Sequence, residues 1–268
     1  MKYNFIFVVL VYRNTGDLKN FFANFTLPNS KVVVVNSYYD DKSEEDFKKI
    51  AEEHDADFIS VPNKGYGAGN NRGVEYALKF YDFHYLVISN ADIIIKDLNF
   101  SKVEKYGNVI IAPEIRNANG KRQNPSVPFK PSRLREYLHY WIIRDEHYKL
   151  IWLLFIWSRL TKIFYYIICQ WKKSIFSAHG AFLIIPKDII GCLVPMNDER
   201  MFLFNEEEHL GRLASSKGIK TYYAKDIKIF HKEDGSMKVA NINQMKQAGL
   251  SYMIYYENWI KFKNDRKL

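Results

Sequence analysis

Cysteine is almost missing from these 268 residues: only Cys169 and Cys192 occur. That argues against a disulfide framework and points to a reducing, cytoplasmic compartment. The two are far apart and lack metal-ligand spacing. Long uncharged apolar runs are missing too. The most apolar stretch, Arg135 to Lys173, is interrupted by Arg144, Lys149, Arg159 and Lys162, so no window reaches the ~18 uncharged residues of a spanning helix. "FIFVVLVY" (Phe5 to Tyr12) follows Lys2 as a signal peptide would, but it is short and no small-residue cleavage site follows. A buried parallel strand is the expectation there. Internal repeats are absent. So is a basic stripe: the net charge is +9, but the cations are scattered, which argues against a nucleic-acid partner. Nucleotide phosphates or an acidic membrane surface suit that charge, and so does solubility alone.

What is there is a globular composition and an alternation of strand and helix. Strands are expected at Phe5 to Val11, Lys31 to Asn36, Asp57 to Val61 and within Tyr85 to Ile95. Helices are expected from an Asp17 N-cap to Phe25, from about Ser43, and over "GVEYALKFY". This βαβαβαβ order predicts an α/β fold, a mostly parallel sheet with helices on both faces. Ligands of such sheets bind beyond the carboxyl ends of the strands. The residues there are Tyr12-Arg13-Asn14, Asn36-Ser37, Asn63-Lys64-Gly65 and Asn90-Ala91-Asp92, all polar sets on one edge.

"NKGYGAGNNRG" (Asn63 to Gly73) has the look of a phosphate-cradling loop. A dinucleotide fingerprint fails, because the third glycine of the pattern falls on Asn70 or Arg72 and the stretch follows the third strand. A P-loop fails because no Gly-Lys-Ser or Gly-Lys-Thr follows. The glycines are left as a close-approach loop with amides and Arg72 available to a nucleotide, or as a tight turn.

Asp92, at a strand end beside Asn90, is placed to hold Mg2+ or Mn2+ against a pyrophosphate; a helix cap is the plainer use. "NEEEH" offers Glu206, Glu207 and Glu208, of which one or two can face a site on a helix. A solvated charge run is the ordinary alternative, yet the apolar "MFLF" before it buries its start. "MFLFNEEEHLGRLASSKG" reads as one helix ending at Gly218. His231, from a later strand end, is a candidate metal ligand. "SIFSAHGAFLIIPKDII" reads as a strand, a proline-broken edge and a helix start, and Asn241 to Trp259 as an amphipathic helix before a basic "KNDRKL" tail. Asn117 to Pro131 reads as a loop. The aromatic and basic residues of Arg135 to Lys173 fit a helix lying in a membrane interface, a hairpin packed on the core, or a dimer contact.

The order of these segments resembles family 2 glycosyltransferases, the rhamnosyltransferase-like branch with the GT-A fold. The likeness runs through "FVVLVYRNTGDL", "VVVVNSYYDD", "NKGYGAGNNRGVEYAL" and "LVISNADI". It resumes at "HGAFLIIPKDII", "MNDERMFLFNEEEHLGRL" and "IFHKEDGS", skipping about Lys121 to Lys173. It implies one GT-A domain over 1–268, with a nucleotide-binding half (1–116), a helical insertion for acceptor or membrane (121–173) and an acceptor-binding catalytic half (174–268). It implies that Asn71 and Arg72 lie by the nucleoside diphosphate, with Tyr12, Arg13, Asn36 and Asn90 in the same nucleotide site. Asn90 stands at the first, and Asp92 at the last, position of an Asp-x-Asp-type metal motif. Asp40 or Asp41 can replace Asn36 in reading the base. The general base falls on Glu207, with Glu206 beside it as the alternative base; Glu208 is expected to face solvent. His209 replaces an acid, Arg212 matches a basic residue, and His231 matches a late metal or phosphate contact. The implied reaction is inverting, metal-dependent transfer by a hexosyl- or rhamnosyltransferase of bacterial surface polysaccharide synthesis. The donor is a UDP- or dTDP-linked sugar and the acceptor a saccharide, lipid-linked or free. The implied setting is the cytoplasm, peripheral at the inner face of the membrane, with a homodimer allowed. A sugar nucleotidyltransferase would carry a Gly-rich signature and a Lys after strand one, which "VYRNTGDLK" lacks. A non-catalytic nucleotide- or nucleic-acid-binding module is the other class left open.

Overall fold

The computed structural model describes residues 2–169, 171–233 and 243–261. Asp234 to Ser236 of "IFHKEDGS" and the "KNDRKL" tail lie outside the described residues. The chain runs β1 (Lys2–Val11), α1 (Thr15–Ala23), β2 (Ser30–Ser37), α2 (Asp41–Glu53), β3 (Asp57–Val61), α3 (Tyr66–Phe80), β4 (Asp82–Asn90), β5 (Ile93–Asp97), α4 (Phe100–Glu104) and β6 (Ile110–Asn117). After a long loop come α5 (Arg133–Arg144), a 3-10 turn (Tyr148–Leu150) and α6 (Ile151–Ile168). The last third holds β7 (Ser174–Ile175), β8 (Phe182–Pro186), α7 (Lys187–Ile190), α8 (Glu206–Ser216), β9 (Thr221–His231) and α9 (Gln244–Trp259).

One sheet of nine strands runs through the molecule in the order β3-β2-β1-β4-β8-β6-β9-β5, with β7 on β9. The first four strands are parallel, as the alternating pattern predicts. From Phe5 to Val11 β1 is apolar because both its faces are covered there. Phe5, Phe7 and Val9 point into one core layer and Ile6 and Val8 into the other. β8 departs from expectation. Its "FLIIP" is no edge: it lies antiparallel between β4 and β6, fully buried, with Pro186 at its end opposite Tyr85.

Three helix starts also differ. Asn14, not Asp17, caps α1, accepting the Gly16 N–H, while Asp17 accepts from the Asn14 amide. Asp40 caps α2 through Ser43 N, two residues earlier than the expected start. α8 begins only at Glu206, because Phe204 and Asn205 are both left-handed (φ 73° and 65°) and "MFLF" is a loop.

The glycine-rich stretch changes meaning. Helix α3 starts at Tyr66, so Gly67, Gly69 and Gly73 are helical and not a ligand-cradling loop. Gly65 is the exception, with φ 102°, a value that L side chains avoid. A Cβ on Gly73 would stand 2.2 Å from Val8 Cγ1 and 2.8 Å from Val35 Cγ2, and one on Gly69 would stand 2.5 Å from Leu10 Cδ1. These glycines let α3 lie against β1 and β2. Because Val8 and Val35 are branched at Cβ and fully buried, they have little freedom to yield. Gly73→Ala is therefore expected to lose about 1–3 kcal/mol in urea denaturation. Gly191→Ala, with open space around it, is expected to stay near wild type.

Candidate active site

A cleft of about 640 Å3 opens at the carboxyl ends of the parallel strands. Each of the four polar strand-end sets contributes: Tyr12 and Asn14, Ser37, Asn63 and Gly65, and Asn90 to Asp92. Of the ten candidate residues, Tyr12, Asn90, Asp92, Glu206, Glu207 and His231 line it. Arg13, Asn36, Asn71 and Arg72 do not.

Each of those four has a structural position. Arg13, itself left-handed (φ 61°), lies 3.6 Å over the Tyr39 ring, with Tyr12 edge-on to the same ring. Asn36 is completely buried and donates to Ser60 Oγ at 3.1 Å. Asn71 exchanges two hydrogen bonds with the Asn197 backbone (2.9 and 3.1 Å) and is spent on holding that loop. Arg72 pairs with Glu75 and Glu199 on the surface. Asn71 and Arg72, implied to lie by a diphosphate, are on α3 outside the cleft lining, with their side chains engaged in these contacts. Asp40 and Asp41 are occupied by Ser43 N and Tyr38 OH.

One wall of the cleft joins residues far apart in sequence. β5 pairs antiparallel with the end of β9, Ile93 opposite His231, and Lys232 N donates to Asp92 O at 3.0 Å. This brings His231 Nε2 to 3.2 Å from Asp92 Oδ2. The other ring nitrogen, Nδ1, is 2.8 Å from Gln123 Oε1. Gln123 donates through Nε2 to Glu233 Oε1, so its oxygen is the atom free to accept from the imidazole. In the neutral ring Nε2 then carries the lone pair beside the carboxylate. A hydrogen bond from the other ring nitrogen to an acceptor behind it is what orients metal-bound histidines. Adjacent ligands of an octahedral cation at about 2.1 Å stand about 3 Å apart, so the pair fits one edge of such a site. A mixed carboxylate–imidazole pair suits Mn2+ better than Mg2+. Among the described residues no cluster of three or more His, Cys, Asp or Glu that could hold a metal ion forms.

The opposite wall is the first turn of α8. Glu206 and Glu207 line the cleft; Glu208 does not. Glu208 is half-buried, against the expectation of a solvent-facing neighbour, and burial raises its pKa with help from Glu207. Glu206 is 7% exposed and its Oε1 has no hydrogen-bond partner. Burial first, and Glu207 second, push its pKa up to about 8. Glu207 is more open and accepts from Gly180 N at 3.2 Å. The Gly180 peptide spans the cleft floor, for its carbonyl lies 2.9 Å from Tyr66 OH, which is also 2.9 Å from Asn90 Oδ1. Burial keeps that phenol neutral.

α8 is held in place by Glu136 of α5, buried at 1% exposure, which accepts from Arg212 (2.8 Å), Tyr252 (2.6 Å) and Tyr255 (2.9 Å). Arg212, the basic residue of the resemblance, is therefore a structural partner of Glu136. His209, outside the cleft lining, accepts from Trp259 Nε1 at 3.0 Å, and burial lowers its pKa to about 4.

Sequence reading missed Tyr66, Gln123, His179, Gly180 and Glu233. Tyr66 was hidden among the glycines and Gln123 in a segment read as loop. His179 and Gly180 stand in "HGAF", which carried a segment-level likeness but no individual weight. His179 Nδ1 accepts from Ala181 N at 3.1 Å, so its Nε2 carries the proton toward the cleft, and burial disfavours its charged form.

Three solved structures share this fold. S. aureus TarS aligns with 95% of the chain at TM-score 0.54 and 11% identity. S. aureus TarS 1-349 in complex with UDP-GlcNAc aligns with 89% at 0.52 and 12%. GalNAc-T7 with UDP, GalNAc and Mn2+ aligns with 86% at 0.54 and 12%. The chain spans less than two thirds of each of them: 43%, 61% and 44%. No protein-family model matches the sequence, and neither does any curated protein. At such identities the likeness establishes the architecture, a GT-A-type mixed α/β fold.

Glu206 gives this site a pH signature. Its pKa rises from 4.5 to about 8 on folding, so between those values the folded state holds a proton that the unfolded chain has lost. Stability from this group is full below 4.5, falls as pH rises, and is gone above about 8. Glu206→Gln is expected to flatten that decline, with the variant gaining on wild type from pH 5 to pH 8 in urea melts. Parallel curves would show Glu206 ionised in the folded state.

Proposed function

We propose that the protein transfers a sugar from a nucleoside-diphosphate donor to a hydroxyl of a saccharide acceptor, with inversion at the sugar carbon. The observation that carries this is a single cleft with an Asp92–His231 pair on one wall and the Glu206–Glu207 turn on the other. The shared fold of structures solved with UDP-GlcNAc and with UDP, GalNAc and Mn2+ supports it. The donor is UDP- or dTDP-linked, and its base lies toward Tyr12 and the Arg13–Tyr39 stack. Two free thiols, Cys169 and Cys192, support a cytoplasmic setting.

In this reading Asp92 and His231 hold a divalent cation, Mn2+ or Mg2+, which supplies charge neutralisation for the departing diphosphate. Glu207 takes the proton of the acceptor hydroxyl as its oxygen attacks the donor sugar carbon. The bond from that carbon to the diphosphate breaks, and its electron pair leaves with the diphosphate. Glu206 stays protonated near neutral pH and so serves as a donor beside the base, not as the base. Leu10, Leu183, Met196 and Phe202 give the cleft apolar walls, which keep water from competing for the donor.

Glu207→Gln is expected to lose about 100- to 10,000-fold in turnover while still binding nucleotide and keeping its melting temperature. Glu206→Gln should lose less. A panel of UDP- and dTDP-sugars with and without Mn2+ provides the assay, and near wild-type turnover by Glu207→Gln would move the base elsewhere.

Gln123→Ala tests the cation. It removes the acceptor behind His231 Nδ1, together with the donor to Glu233 Oε1, so Mn2+ affinity should fall about 10- to 100-fold. Titration of Mn2+ by electron paramagnetic resonance in the presence of UDP reads this directly. Unchanged affinity would take His231 out of the ligand set.

A further inference from the structure

Helix α6 leaves most of its apolar surface uncovered. Of its residues only Tyr165 is fully buried. Its partly covered positions are Ile151, Leu154, Ser158, Thr161, Lys162 and Tyr166, while Trp152, Phe155, Trp157, Leu160, Phe164 and Ile167 are exposed. Phe155 is 68% exposed, Leu160 60% and Ile167 66%. A helix on a water-facing surface carries the reverse pattern. So large a contiguous apolar patch marks a surface made to be covered.

Charge indicates the cover. From Lys149 to Lys173 the sequence holds five cations (Lys149, Arg159, Lys162, Lys172, Lys173) and no Asp or Glu. Lys149, Arg159, Lys172 and Lys173 are exposed, and Trp171 beside the last two is 74% exposed. Apolar and aromatic side chains bounded by cations, with no acid among them, match an anionic lipid headgroup layer over hydrocarbon. A second copy of so basic a face would repel the first.

The face also has a groove. Phe129 and α6 residues Trp157, Leu160, Thr161 and Phe164 line a shallow, open groove of about 420 Å3 whose surface is almost wholly apolar. Thr161 Oγ1 is already bonded to Ser158 O at 2.8 Å, so the groove offers its occupant mainly hydrocarbon contacts.

We infer that the outer face of α6 lies in the interface of an anionic bilayer, with the Phe129–Phe164 groove taking a single hydrocarbon chain. By length and composition Tyr148–Ile168 is long and apolar enough to cross a membrane, although Arg159 and Lys162 leave it no run of ~18 uncharged residues. Two facts make it lie flat. Arg159 is exposed in mid-helix, where a hydrocarbon core would penalise it. The inner side is tied to the domain: Tyr165 OH donates to Lys172 O (2.9 Å), and Tyr166 OH donates to Asn124 O (2.5 Å). Asn124 in turn accepts His179 N through Oδ1 at 2.7 Å, and His179 lines the cleft. The helix on the lipid is thereby two residues from the site. If the proposed sugar transfer holds, a lipid-linked acceptor reaches the cleft with its chain in the groove; lipid binding itself does not depend on that reading.

Flotation of the full chain with vesicles of equimolar phosphatidylcholine and phosphatidylglycerol is the test. At low salt the protein is expected to float; it should float far less with phosphatidylcholine alone or at 0.5 M salt, roughly a Debye length of 4 Å. Phe155→Asp/Ile167→Asp, both fully outward, should lose at least about tenfold in vesicle affinity and keep the wild-type melting temperature. Brominated acyl chains should quench tryptophan fluorescence, and Trp157→Phe should remove part of that quenching. No flotation at low salt, or flotation undiminished in the double variant, overturns the proposal. So does a lipid-free dimer in sedimentation equilibrium that the double variant dissociates, for then a second copy covers the face. Donor turnover with a soluble acceptor is measured on the same samples. The double variant should retain it, so loss of flotation and loss of the transfer reading are separate results.

Discussion

The antiparallel pairing of β5 with β9 is the contact on which the cleft depends. β4 ends at Asn90, and the chain turns through Ala91 and Asp92 into β5, which runs along the far end of β9. β9 also carries β6 and β7; from Pro113–Ala224 to Glu114–Lys228 the register jumps, so β6 runs continuously along two segments of β9. The result is that a carboxylate from the first half and an imidazole from the last strand share one point. Gln123 and Glu233 then fix the imidazole's tautomer. Backbone hydrogen bonds, which no single side-chain change removes, set this geometry.

The facing wall is governed by desolvation. Three consecutive glutamates at a helix start are favoured by the positive end of the helix. Here that benefit competes with burial, which wins at Glu206: its unpartnered oxygen and raised pKa are two views of one cost. Glu207 escapes by reaching the Gly180 amide. Neighbouring carboxylates in environments this different are suited to different roles: Glu206, buried and raised in pKa, holds a proton, while Glu207 is the more open of the two. The turn is held rigid from behind, where Glu136 binds Arg212, Tyr252 and Tyr255 and locks α5, α8 and α9 together. A buried acid with three donors is well satisfied, but loss of any one would leave charge stranded.

Much of the fold was legible in particular segments. "VVVV" and "FIFVVLV" can only be strands buried on both faces, and the helices between them impose parallel order. The strand-end rule then found the cleft, since every one of the four polar sets contributes to its lining. What misled was local chemistry. Glycines suggest a ligand loop, yet the same absence of Cβ serves a helix pressed onto valines, and sequence does not distinguish the two. Pro186 suggests an edge, yet a strand can end at a proline in mid-sheet. "MFLF" has helical composition, but Phe204 and Asn205 adopt left-handed backbone where the loop meets Gly65, whose neighbour Tyr66 donates its N–H to Phe202 O at 2.9 Å.

Sequence by itself determined the parallel half of the sheet, the strand ends that face a ligand, and the candidate acids Asp92, Glu206 and Glu207. These follow from hydrophobic periodicity and from residue chemistry, which are local. Tertiary structure decided which candidates meet. It joined Asp92 to His231, engaged Asn71 and Arg72 outside the cleft lining, recruited Tyr66, Gln123 and His179, and separated a neutral Glu206 from an open Glu207. It also decided that the apolar side of α6 faces outward, when composition allowed a packed hairpin equally well. Pairing register, burial and the direction of a helix face depend on contacts between distant segments, and no short stretch of sequence contains them.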